Sequence, residues 1–91
     1  MKTRKRYRIR LYVTGGTGAA EDAVSVLRKL VRRLRGRIQA EVVDVLLHPE
    51  ILLDHSLNAT PVLVREHPGP AVAFRGELRD PEQLIRALGL D

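Results

Sequence analysis

Residues 7–47 alternate strand, helix and strand, and this pattern does most to limit the folds open to the chain. In "YRIRLYV", Ile9, Leu11 and Val13 fall on one face and Arg8, Arg10 and Tyr12 on the other, the period of a strand over Tyr7–Val13. The next apolar residues are Ala20, Ala23, Val24, Leu27, Leu30, Val31 and Leu34, a single buried stripe on a helix over Ala20–Arg35. Glu21 and Asp22 suit its first turn, Arg32, Arg33 and Arg35 its last, and Gly36 a stop. Ile38–Leu47 then reads as a second strand. Its "VVDVLL" is so nearly apolar throughout that cover on both faces is expected. A strand, a crossover helix and a strand imply two parallel strands with a right-handed connection.

Beyond this unit, Pro49 opens a short second helix over Pro49–Leu57. "ATP" at Ala59–Pro61 breaks the chain, Val62–Arg65 is a third strand, "EHPGP" a turn and Ala71–Arg75 a fourth strand. In "DPEQLIRALGLD", Asp80 is an N-cap, Pro81 a first helical residue and Gln83 the partner in a capping box, with Leu84, Ile85 and Leu88 facing inward. The order β-α-β-α-β-β-α, with a four-stranded mixed sheet, is that of the thioredoxin-like α/β fold. Ninety-one residues support one domain, 1–91, in which 1–6 reads as a flexible basic arm.

The glycine-rich turn "TGGTG" sits where α/β proteins often bind phosphate or carry out redox chemistry. A P-loop ends in lysine followed by Ser or Thr, but here Gly18 is followed by Ala19 and Ala20. If Gly16 and Gly18 opened a dinucleotide fingerprint, Glu21 would stand at its third glycine. Glu21 and Asp22 also place negative charge where a phosphate would sit. In a thioredoxin-like chain this turn carries two cysteines, and this sequence contains none. Gly15, Gly16 and Thr17 thus occupy a redox loop without its nucleophiles. Thr60 and Pro61 stand at the position of the facing proline, where a cis bond is expected. Thr14, Thr17 and Thr60 have no neighbouring base to activate them. No catalytic residue and no cofactor is expected.

The net charge of +5 is concentrated in "MKTRKRYRIR" and "RKLVRRLRGR". Such a surface attracts nucleic acid or an acidic protein face, or is simply solvated. Tyr7, Tyr12 and Phe74 are the only aromatic residues, a poor supply for base stacking. His48, His55 and His67 are too scattered for a metal site; only His48 and His55 could share a helix face. No apolar run approaches the ~20 residues of a membrane span, and no signal peptide is evident, so a cytoplasmic protein is expected.

"IRLYVTGGT", "VVDVLLHPEIL", "NATPVLV" and "FRGEL" resemble, in order and spacing, the successive motifs of the KaiB family, and the likeness extends over about Arg8–Asp80. The N-terminal sensor domain of the clock kinase SasA is similar. The resemblance implies a non-enzymatic regulator that binds a KaiC-like ATPase or a histidine kinase in circadian or stress signalling. It is compatible with a homo-oligomer. It also implies two alternative folds, a thioredoxin-like form and a tetrameric ground state in which the C-terminal region supplies a strand. The partner surface implied is the second strand at Ile38, Gln39 and Ala40, with Arg10 and Arg65, which stand where the family usually carries lysine. Two departures are visible: Val72-Ala73 replace paired arginines, and Gly89-Leu90-Asp91 lies two positions late. From the residues alone, a basic nucleic-acid-binding module is the competing reading.

Overall fold

A computed structural model describes residues 5–50 and 61–90. The elements are β1 (Tyr7–Val13), α1 (Gly18–Arg33), β2 (Ile38–Asp44), β3 (Val62–His67), β4 (Val72–Arg75) and α2 (Pro81–Leu88). Pro49 and Glu50 are helical, and the remainder of the expected second helix lies outside the described residues. So does Thr60, and with it the expected cis bond before Pro61. Cis bonds are found at His67–Pro68 and Gly69–Pro70.

The sheet runs β2-β1-β3-β4. β1 pairs in parallel with β2, Tyr7 opposite Ile38 and Val13 opposite Asp44. β3 is antiparallel to β1, and β4 to β3. This is the thioredoxin-like topology. Tyr7, Ile9, Leu11 and Val13 of β1 pack with Leu63 beneath Ala23, Leu27 and Leu30 of α1 and Leu84 and Leu88 of α2. Both helices thus cover one face. A smaller cluster of Tyr12, Val45 and Val62 occupies the other.

Three expectations need correction. α1 starts two residues early, because Thr17 is the N-cap: its Oγ1 accepts from the Ala20 N–H at 3.1 Å. The buried stripe includes Val26, while Val24 and Val31 lie at its margin. β2 ends at Asp44, and it is not covered on both faces. Gln39, Ala40, Glu41 and Val42 are all exposed, and Leu46 and Leu47 beyond it are 62% and 73% exposed. Its apolar run is that of an edge strand and the turn after it.

The C-terminal region is a helix, not the strand of the alternative fold. Asp80 accepts from the Gln83 N–H at 2.9 Å, and Gln83 Oε1 accepts from the Arg79 N–H at 2.7 Å. Gly89 closes the helix at φ 64°, a left-handed conformation that suits glycine. Asp80→Ala removes one end of this cap. It is expected to cost about 1 kcal/mol in urea denaturation.

Candidate functional site

The glycine turn is a structural joint. Thr17 Oγ1 donates to the Thr14 carbonyl at 2.8 Å while capping α1, and Gly16 takes φ 81°. The Gly15 N–H donates to Asp44 Oδ1 at 3.1 Å, and the Leu46 N–H donates to the same oxygen at 2.9 Å. One carboxylate at the end of β2 therefore ties together the turns that follow β1 and β2. A Cβ on Gly15 would lie 2.0 Å from Asp44 Oδ2, so any other residue here would push the Asp44 carboxylate off its two hydrogen bonds. The sequence signal for Asp44 is a lone carboxylate within the apolar run "VVDVLL", a polar group that needs hydrogen-bond partners there. The joint holds neither a nucleophile nor a free base, and its threonine and aspartate oxygens are used in fixing the backbone.

The edge of β2 is different. The Val45 N–H donates to the Val13 carbonyl at 2.9 Å, and the Tyr7 N–H to the Arg37 carbonyl at 2.7 Å. In a parallel ladder successive residues point their N–H and C=O groups to alternate sides. Residues 37, 39, 41, 43 and 45 therefore face β1, and Ile38, Ala40, Val42 and Asp44 aim their backbone groups outward. Among the described residues β2 has a neighbour on one side only. Unpaired edge groups beside exposed Val42, Leu46 and Leu47 are a ready template for another strand.

Arg10 flanks this edge on the face away from the helices. Its Nε donates to Glu41 Oε1 at 2.8 Å, and one terminal nitrogen lies 3.3 Å from Glu66 Oε2 and 3.5 Å from the Tyr12 hydroxyl. The hydrogen bond to the Tyr12 hydroxyl, with the charges of Glu66 and Glu41, raises the Arg10 pKa above its ordinary value against the opposing effect of burial. The group stays charged and is held in one orientation beside Gln39 and Glu41.

Arg65 lies on the opposite face, in register with Leu63. Its guanidinium donates to the Leu88 carbonyl at 2.8 Å and to the Pro70 carbonyl at 3.4 Å. It thus ties the C-terminal end of α2 to the β3–β4 turn, where a cation also suits the helix dipole. The structure brings Arg10, Gln39 and Ala40 together, sets half-buried Ile38 at the start of the same edge, and puts Arg65 elsewhere. Arg65→Met keeps the stem and removes the cap. It is expected to cost about 1–2 kcal/mol in chemical denaturation. A loss of only a few tenths would show that the cap is idle.

Among the described residues no group of three His, Asp or Glu side chains is placed to hold a metal ion. His48 is exposed, with Nδ1 3.5 Å from Glu50 Oε1. Among them, too, no helix is long and apolar enough to cross a membrane.

Comparison with known proteins agrees with this geometry. The chain overlays on chloroplastic thioredoxin z with a TM-score of 0.79 at 20% identity, covering 94% of this chain and 78% of that one. It overlays on the N-terminal domain of SasA from Synechococcus elongatus with a TM-score of 0.73 at 20% identity, covering 100% and 90%. These likenesses establish the fold. In sequence, the circadian clock oscillator protein KaiB of Prochlorococcus marinus is 34% identical over 92 residues, covering 100% of this chain and 77% of the relative. That of Parasynechococcus marenigrum is 35% identical, covering 100% and 86%. The KaiB domain model matches residues 10–90, a span that takes in the glycine joint, the open β2 edge and the capped last helix. With the cysteine-free turn and the four motifs in their order, that match makes this chain a member of the KaiB family.

Proposed function

We propose that this chain is a non-enzymatic regulatory protein that binds a KaiC-like ATPase or a signalling histidine kinase, in circadian or stress signalling. The observation that carries the reading is the open edge of β2. Outward backbone groups at Ile38, Ala40 and Val42 offer hydrogen bonds to an added strand. Exposed Val42, Leu46 and Leu47 offer apolar area, and Arg10 is a fixed charge beside them. Strand addition of this kind draws affinity from the main chain and specificity from flanking side chains. Membership of the KaiB family supports the class of partner, and the likeness to the SasA domain supports a thioredoxin-like binding form. The comparisons give a nucleic-acid-binding module no support. Without cysteine, the thiol chemistry of the thioredoxins has no nucleophile.

The test is surface plasmon resonance of the full chain against a purified KaiC-like ATPase from the same genome. Saturable binding with Kd near or below about 10 μM is expected. Absence of binding at tenfold higher concentration, to both the ATPase and the histidine kinases of that genome, would remove the reading.

A further inference from the structure

At the N-terminal end of β1 and β2, a cleft of about 260 Å³ is lined by Arg6, Arg8, Arg37 and His67, together with Ile38 and Gln39 of the edge strand. Among the described residues no carboxylate lines it. The nearby acids Glu41 and Glu66 are both engaged by Arg10. Arg37 is the unusual member. Its Nε and one terminal nitrogen are shut off from solvent and have no hydrogen-bond partner. Its backbone is fixed at both ends: the N–H donates to the Leu34 carbonyl at 2.9 Å, and the carbonyl accepts from the Tyr7 N–H at 2.7 Å. Most buried polar groups are satisfied, so two buried guanidinium nitrogens without an acceptor, beside two further arginines, mark a place suited to an anion.

We propose that this cleft binds a small phosphate-class oligoanion, of the size and charge of a pyrophosphate group. Guanidinium groups match phosphate oxygens with paired N–H donors, and three of them around one opening suit a ligand with more than one negative oxygen. The volume argues for a small group: it is below the ~300–1,000 Å³ typical of sites for drug-sized ligands. The carbon-rich part of a larger molecule would have to remain outside. A strand seated on β2 and an anion in this cleft would be neighbours at Ile38 and Gln39, yet neither needs the other.

The test uses the full chain alone, so its result does not depend on the ATPase reading. Sodium pyrophosphate is titrated by isothermal calorimetry at about 0.15 M salt, against sulfate at matched ionic strength. One saturable site with Kd below about 1 mM is expected, with sulfate weaker. Arg37→Gln and Arg8→Gln should each weaken binding at least tenfold. Arg37→Gln should also melt no lower than the parent chain in the absence of ligand, because it removes an unsatisfied group. That second readout separates a ligand group from a merely structural one. A parallel co-sedimentation with phosphatidylcholine vesicles containing phosphatidic acid asks whether a lipid headgroup is the source of the phosphate. Binding to vesicles alone, lost in both variants, would keep the phosphate chemistry and assign the source to lipid. Non-saturable binding, binding indifferent to both substitutions, or binding to neither probe would overturn the proposal.

Discussion

Ala40→Pro is expected to weaken binding to the partner at least tenfold, about 1.4 kcal/mol, while leaving the fold in place. The Ala40 N–H points away from β1, as the alternation from the Val45 and Arg37 hydrogen bonds requires. Proline removes that donor and puts its ring where an added strand would lie, but no bond of the β1–β2 ladder is lost. Proline is tolerated on edge strands for this reason. The residue before it, Gln39, is already extended, the conformation a following proline favours. Gln39→Pro is the internal control. Its N–H faces β1, so that variant should destabilise the fold itself. Thermal melts and surface plasmon resonance on both variants make the comparison. A native-like Ala40→Pro chain that binds as tightly as the parent would show that the partner does not use this edge.

The parts of the fold legible in the sequence are those set by local periodicity and by end chemistry. β1 reads from its alternation, and all four of its odd-numbered residues are in the core. α2 reads from Asp80, Pro81 and Gln83, each of which the structure uses as its type suggests. What could not be read depends on neighbours far along the chain. The apolar run after Glu41 is equally consistent with a covered central strand and with an exposed edge, and only strand order decides between them. Arg65 reads as a surface charge, because its acceptor is the carbonyl of Leu88, 23 residues away. The same limit hid the role of Asp44, whose partner Gly15 is 29 residues off. Arg10 and Arg65 look equivalent in sequence, yet strand parity puts them on opposite faces. The register therefore divides them between two surfaces.

The largest expected effect on stability is that of Leu84→Ala. Leu84 is 0% exposed and stands on α2 over the helix-covered face of the sheet, in the same cluster as Ile9, Leu11, Leu30 and Leu63. Removing a fully buried leucine side chain costs about 2–5 kcal/mol, the upper part of the range where the cavity cannot collapse. A domain of 91 residues holds roughly 5–14 kcal/mol in all, so this one change consumes a large fraction of it. The melting temperature should fall by on the order of 10–20 °C. The caps do not compensate. Asp80 and Gln83 fix the start of α2 and Gly89 its end without attaching it to the sheet, and the tether from the sheet, the hydrogen bond of Arg65 on β3 to the Leu88 carbonyl, is small beside the buried leucines. Attachment comes from Leu84, Leu88 and Leu90, with Arg33 of α1 and Glu82 pairing at the surface, where an ion pair adds little. The variant should therefore lose α2 first. In hydrogen exchange the amides of residues 84–88 should lose their protection before those of β1 and β3, which lie in the middle of the sheet. A stability loss below about 1 kcal/mol, with α2 still protected, would show that Leu84 is not what holds the last helix against the sheet.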